Sequence, residues 1–409
     1  MVRETRPRLI FSGKMYRFRP AANLMDARFL EAFLQTSFAW SAIDAMKTGG
    51  SDSGLNLTHD RFRQLLVPLA PLNEQLRIAA RIDALFAEVA EGEAALATAR
   101  KGLETFRRAL LKAAVSGELT KDWRAENPPT ETGRGLLARV AKARAAKAPV
   151  KGRGRRDAEG RDLNVEGLLK LPEEWAWATL GETVSEMEYG TSEKCERDFD
   201  GIPVLRIANV NFGSLDFSNL KFAPANAPAP LLKDGDLIFN RTNSAELVGK
   251  TAVYRSQLSP CSIASYLIRV RFEEIEPEFV SAWINSIFGR IWIASHKSQQ
   301  VGQANLSGGT LKGMPIPIPP PAEAAEILRR VSDALAAVAD AQALLDAEAA
   351  DAARLKQSIL KAAFEGRLSV QDPADEPASA LLARVKLAAA PARRRGVSAW
   401  AKAGDSRAR

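Results

Sequence analysis

Cysteine and histidine are scarce: the 409 residues hold two of each. Cys195 and Cys261 stand far apart with no Cys-x-x-Cys, and His59 and His296 do not fall at equivalent places in the chain. A disulfide scaffold and a Cys/His zinc site are excluded on that count, and no residue is assigned to a metal. No apolar run approaches the ~20 residues needed to cross a bilayer. The start, Met-Val-Arg-Glu-Thr-Arg-Pro-Arg, lacks the apolar core of a signal peptide. A soluble protein of a reducing compartment, the cytoplasm, with no membrane partner is expected.

Catalytic signatures are equally thin. Gly249-Lys250-Thr251 ends like a phosphate-binding loop, but the first glycine of that loop would be Ser244. Asn127-Pro128-Pro129 resembles the amine-holding turn of adenine methyltransferases, yet Thr130 replaces the aromatic and no apolar strand precedes it. Gly152-Arg153-Gly154 follows no strand, which argues against a dinucleotide loop. Neither histidine has partners for a triad. No catalytic residue and no bound cofactor is therefore assigned to this chain.

What is present is charge, length and repetition. At 46% hydrophobic residues the chain can bury more than one core. Lys and Arg number 57 against 49 Asp and Glu, a net of +8, and the isoelectric point near 9.5 points to a polyanionic partner such as nucleic acid. That surplus is local. Residues 134–161 carry ten basic and two acidic residues, among them Lys151, Arg153, Arg155 and Arg156, so the remaining chain sums to zero.

An internal repeat organises the sequence. Asn56-Leu57-Thr58 and Val67-Pro68-Leu69-Ala70-Pro71 return 249 residues later as Asn305-Leu306-Ser307 and Ile316-Pro317-Ile318-Pro319-Pro320. Leu110-Leu111-Lys112-Ala113-Ala114 returns at the same offset as Ile359-Leu360-Lys361-Ala362-Ala363, and Gly117-Glu118-Leu119-Thr120 as Gly366-Arg367-Leu368-Ser369. Upstream, Phe29-Leu30 pairs with Phe279-Val280 at offset 250 and Arg17-Phe18-Arg19 with Arg269-Val270-Arg271 at 252; downstream, Leu136-Leu137-Ala138-Arg139-Val140 recurs as Leu381-Leu382-Ala383-Arg384-Val385. Shared loop, proline and glycine punctuation marks a duplication. The first copy begins in the middle of a domain, as expected of a truncated chain, a misassigned start or a natural remnant.

After Pro71 and Pro321 each copy runs for more than fifty residues without proline and is rich in Ala, Leu, Glu and Arg, which predicts two long helices. Ile82, Leu85, Val89, Gly92, Leu96, Ala99, Leu103, Phe106 and Leu110 step by 3 and 4, a coiled-coil seam. The second seam is Val331, Ala334, Val338, Ala341, Leu345, Glu348, Ala352, Leu355 and Ile359. Helices of this length would be about 65 Å long. Two equivalent units most simply associate about a pseudo-twofold axis, which makes the helices antiparallel.

In the second copy, β-rich runs at 202–207, 236–239, 253–254 and 263–272 precede a helix at about 277–295. The class is α+β. The domain plan is a part-domain at 1–71, a long helix at 72–116, a basic linker at 117–171, a mixed domain at 172–320, a second helix at 321–365, and a tail with a short helix at 366–409.

Two polar clusters in the second copy carry donors and acceptors suited to base edges and phosphates. Asn240-Arg241-Thr242-Asn243-Ser244 leaves a strand and leads to Lys250; Lys297-Ser298-Gln299-Gln300-Val301-Gly302-Gln303-Ala304-Asn305 follows the helix. A capped turn is the plainer reading of the first. Loop chemistry that diverges over a shared scaffold, as between 47–56 and 297–305, fits readers of two half-sites and also fits neutral drift.

Together these residues resemble the specificity subunit of type I restriction-modification systems. The resemblance rests on Leu171-Pro172-Glu173-Glu174-Trp175, Phe239 to Ser244, Leu247-Val248-Gly249-Lys250, Gln303 to Ser307, the proline run 316–320 and the helix start Leu72-Asn73-Glu74-Gln75. Ala322-Glu323-Ala324 departs from that start. The resemblance implies two target-recognition domains that read the halves of a split double-stranded DNA target, joined by spacer helices that dock two methyltransferase subunits, with restriction subunits joining them. It implies no chemistry in this chain; S-adenosylmethionine, ATP and Mg serve the partner subunits. Under it Asn240, Arg241, Thr242, Asn243, Ser244, Lys250, Lys297, Gln299, Gln300 and Gln303 are the candidate DNA contacts. Lys151, Arg153, Arg155 and Arg156 are candidate nonspecific phosphate contacts. A non-enzymatic coiled-coil adaptor, or an inactive remnant of such a subunit, is the alternative.

Overall fold

The computed structural model describes residues 15–21, 23–48, 56–147, 169–197, 200–300 and 302–389. Lys151, Arg153, Arg155 and Arg156 lie outside the described residues. The chain divides into two compact units, one from residues 1–99 with 343–409 and the other from 100–342.

Helices α1 (Ala27–Leu34), α2 (Ser37–Met46) and α3 (His59–Phe62) lead to the long α4 (Leu72–Ser116), then α5 (Lys121–Glu126) and α6 (Gly133–Lys147). Strand β1 (Ala176–Thr179), the short α7 (Leu180–Thr183), β2 (Val184–Tyr189), β3 (Ile202–Leu205) and β4 (Lys221–Ala223) follow. Next come β5 (Leu237–Asn240), β6 (Thr242–Asn243), β7 (Thr251–Val253), β8 (Ser262–Ile263) and β9 (Leu267–Phe272). Helices α8 (Pro277–Asn285) and α9 (Ile287–His296), β10 (Ser298–Gln300), β11 (Gln303–Asn305), α10 (Gly308–Lys312) and β12 (Pro315–Ile318) complete the mixed region. The long α11 (Pro321–Phe364) and α12 (Ala378–Ala389) end the described chain. None of the helices among the described residues is long and apolar enough to cross a membrane.

The unit of residues 100–342 is the α+β body. A four-stranded sheet ordered β2-β9-β5-β7 is antiparallel throughout. Its centre is apolar because β5 buries Leu237, Ile238 and Phe239 and β9 buries Leu267, Ile268 and Val270. The two arginines of β9 are accommodated by acids. Arg269 bonds Glu186 and Glu188 on β2, and Arg271 forks onto the fully buried Asp236. Val280, Trp283 and Ile284 of α8 join this core, as do Val115 of α4 and Leu136 and Val140 of α6. Strands β1 and β12 pair separately, with Trp177 opposite Pro317.

The stretch read as a linker is therefore only partly one. Leu136 and Val140 stand four apart, on one face of α6, and that face is buried in the core. The helix expected over 277–295 is also divided. Ser286 caps α9 by accepting from the Gly289 amide, and the backbone of Gly289 lies so close to the carbonyls of Trp283 and Ile284 that a Cβ there would stand 2.4 and 2.5 Å from them.

The unit of residues 1–99 and 343–409 is helical among its described residues. Phe29 and Ala32 of α1 pack with Ile78, Ala79 and Ile82 of α4 and Ile359, Leu360 and Ala363 of α11. Asp26 caps α1, and its own amide donates to Gln75 near the start of α4.

Within each unit the long helices run antiparallel. Residues 78–89 of α4 meet 352–364 of α11 in the first unit, and Leu110 and Ala114 meet Ile327 and Val331 in the second. Of the expected seam, Ile82, Val89, Leu110, Val331, Val338 and Ile359 are buried, and Leu85, Leu103 and Leu345 are half-buried. Phe106 and Leu355 are exposed, contrary to expectation. An α-helix turns every 3.6 residues, so a strict 3.5-residue stripe drifts off the contact line. Beside Leu355 the contact passes to its neighbour Lys356, which bonds Glu93 across the pair where Gly92 had been expected.

Candidate nucleic-acid interface

The two polar clusters, more than fifty residues apart in sequence, form one small antiparallel sheet ordered β10-β11-β6. Asn305 pairs with Thr242 and with Ser298; Ala304 pairs with Asn243 and with Gln299. Since paired residues share a face, Thr242, Asn305 and Ser298 lie on one side and Asn243, Ala304 and Gln299 on the other. The Thr242 hydroxyl donates to Asn305 Oδ1 at 3.4 Å, and the Leu306 amide donates to the Arg241 carbonyl at 2.9 Å.

The adjoining turn 244–249 is fixed from behind. The amides of Leu247 and Val248 donate to the Ser244 carbonyl, and Gly249 donates to that of Asn240 at 2.7 Å. Gly249 has φ +85°, and a Cβ would stand 2.5 Å from Ile293 Cδ1, so glycine is required there. Arg290 of α9 donates to the Val248 and Glu246 carbonyls, and Lys297 Nζ donates to the Ala245 carbonyl at 2.8 Å. Burial pushes the Arg290 guanidinium below its ordinary pKa.

Arg241 is the cation best placed at this surface. It is half-buried with its guanidinium 5.0 Å from the Tyr189 ring centroid, and the Tyr189 hydroxyl accepts from the Gly308 amide at 2.9 Å. A guanidinium held over an aromatic ring keeps its plane oriented while its outer edge stays free for acceptors. Gln299 and Gln303 are exposed, and Asn243, Ser244 and Lys297 half-buried. The side chain of Gln300 lies outside the described residues.

Three expected contacts are not surface readers. Asn240 is fully buried, and neither its Oδ1 nor its Nδ2 has a partner among the described residues. Thr242 is buried against Asn305. Lys250 is 7% exposed, and burial lowers its pKa. Asn240 and Lys250 share one reason: they are bonded through their backbones where β5 ends, so both side chains are carried inward. Sequence reading missed Tyr189 and Arg290. Nothing local marks them, because their partners are brought to them only by β2 and α9.

Among the described residues no group of three or more His, Cys, Asp or Glu could hold a metal ion. Cys261 is buried, which pushes its thiol up to about 12.

No family model matches the chain. Among curated proteins it is 28% identical over 377 residues to the type I restriction enzyme EcoKI specificity subunit of Escherichia coli K12, covering 89% of this chain and 72% of that protein. It is 26% identical to the EcoBI specificity subunit of Escherichia coli, over 81% of this chain and 66% of that one. The StySPI specificity subunit of Salmonella potsdam is 25% identical over 88% and 72%. A solved chain from work on complex assembly and conformational transition of the type I R-M system matches with a TM-score of 0.58 at 21% identity, covering 85% of this chain and 73% of that chain.

Proposed function

We propose that this chain, a specificity subunit of the type I restriction family, reads one part of a split double-stranded DNA target through the β6-β11-β10 surface. The observation that carries the reading is the convergence of the two polar clusters on one sheet beside Arg241 and Tyr189. Arg241 offers a forked donor for guanine or phosphate, and Gln299 and Gln303 offer amide pairs of the kind that read adenine. The domain of residues 172–320 holds 13 basic and 17 acidic residues, so its base reading depends on these local groups. Bulk attraction is assigned to the basic stretch containing Lys151, Arg153, Arg155 and Arg156, which would act on any sequence and weaken with salt.

In this reading the chain contributes recognition and no chemistry. Two methyltransferase subunits dock on it, carrying S-adenosylmethionine, and restriction subunits supply the ATP- and Mg-dependent steps. The test is co-expression with the neighbouring methyltransferase gene. Co-purification and new N6-methyladenine at a defined DNA sequence are expected; absence of both sinks the reading. Within an active complex, Arg241→Ala should weaken target binding about ten-fold or more, the scale of one lost base contact. Neutralising the four linker cations should weaken binding to all DNA alike, and a loss confined to the target would contradict that division.

A further inference from the structure

One carboxylate stands within the candidate DNA surface. Glu246 is exposed on the turn between β6 and β7, a few residues past Asn243. Phosphates repel a carboxylate, and an unrestrained surface glutamate swings away into solvent. The turn that carries Glu246 is instead fixed on several sides. The Ser244 amide donates to Asn243 Oδ1 at 2.8 Å. Lys297, the residue before β10, donates to the Ala245 carbonyl, and Arg290 donates to the carbonyls of Glu246 and Val248. The Arg290 guanidinium is itself confined over Phe212, 5.4 Å from the ring centroid. Carbonyls are neutral acceptors, so these bonds hold the turn without cancelling either positive charge.

The peptide between Ala245 and Glu246 is trans, so a carbonyl drawn towards Lys297 sends the Glu246 amide the opposite way. That amide, the Ser244 hydroxyl and Lys297 together hold the Glu246 carboxyl below the usual carboxylate range. The side chain therefore stays ionised and close to its own turn. An ionised carboxylate accepts and does not donate, and its two oxygens have about four lone-pair directions, so acceptor capacity is left over beyond the amide and the hydroxyl.

We propose that Glu246 is a specificity-determining residue, a fixed acceptor for the amino group of one base, cytosine N4 or adenine N6, in the major groove. Its chemistry separates the bases. Amino edges donate to the carboxylate, whereas guanine O6 and thymine O4 present a second acceptor and are repelled. Arg241 selects the other way, because a forked donor seeks acceptors. The two side chains lie on either side of β6 in sequence and sort base edges by opposite polarity. Arg290 and Lys297 offset the repulsion between the carboxylate and the phosphates that flank the base. The inference rests on the DNA reading of this surface and adds the residue that selects one position and the polarity by which it does so.

The test co-expresses the full chain with the neighbouring methyltransferase gene and maps N6-methyladenine across host DNA at single-base resolution. The wild-type chain is expected to direct methylation to one defined split motif. Glu246→Ala should keep every position of that motif but one, and discrimination at that one should fall about ten-fold or more. Glu246→Gln distinguishes the two amino groups: an amide pairs with adenine, so the position is kept if the base is adenine and relaxes if it is cytosine. Because Glu246 is exposed, thermal unfolding of both variants should match the wild type. Removing its negative charge should leave binding to non-target DNA unchanged or stronger, which a collapsed turn would not do. A wild-type motif from Glu246→Ala, or methylation lost at every site, overturns the proposal. A wild-type chain that directs no methylation removes the DNA reading, and this inference with it.

Discussion

The two units repeat one helical plan but differ in what covers it. α1, α2 and α3 stand at the sequence positions of α8, α9 and α10, and the isolated bridge Thr48–Asn56 repeats the Ser298–Asn305 pairing. In the second unit β1 and α6 close over the β12 segment, and a tryptophan reaches the buried Glu323. In the first, the matching segment is open and the matching glutamate lacks those donors among the described residues. Among the described residues the two units therefore share the elements in which helix packs on helix.

Three measurements bear on that comparison. The largest contrast is expected at the glutamates. Glu323→Ala leaves Arg124 without its buried carboxylate and strands the Trp175 indole, a loss of about 3–5 kcal/mol in urea unfolding of the second unit. Glu74→Ala should cost less than half of that, and equal costs would mean that the first unit completes its cluster by other groups.

The aromatic pair comes next. Phe288→Ala removes a ring stacked on Trp283 and should destabilise by about 2 kcal/mol, whereas Phe38→Ala, at an exposed position, should stay within about 0.5 kcal/mol. Matching losses would show that Phe38 is covered in solution.

The smallest effect is acid sensitivity at the helix ends. Arg329 and Arg330 hold Glu326 down to about 2, and Arg330 also holds Asp122 below the usual range; in the other unit Arg77 lowers Asp375. A carboxylate depressed on folding contributes stability above its unfolded pKa and loses it as pH falls through the folded value. Melting temperature should therefore fall between about pH 4.5 and 2, and Arg330→Gln should flatten the part of that fall that belongs to the second unit. An unchanged slope would assign the acid sensitivity to Arg77 and Asp375.

Much of this fold was legible in the residues. Leu72–Ser116 and Pro321–Phe364 are helical where proline is absent, and most seam positions are buried or half-buried. The failures have one cause. Phe106 and Leu355 lie on the expected stripe but off the contact line, because a helix of 3.6 residues per turn carries a 3.5-residue stripe away from its partner; beside Leu355 the contact passes to Lys356, which meets Glu93. At the candidate site the composition of 240–250 identified a polar cluster without revealing which members face water. Asn240 and Lys250 are turned inward by the backbone bond between them, Thr242 by its pairing with Asn305, while Arg241 is oriented by Tyr189.

The sequence by itself determined the duplication, the two long helices, the α+β class and the local origin of the +8 charge, since periodicity, proline spacing and composition are properties of neighbours along the chain. Only the tertiary structure decided that two distant polar runs become one sheet and which of their side chains reach the surface. Those outcomes depend on which strand lies beside which, and strand pairing is settled by residues far apart in sequence.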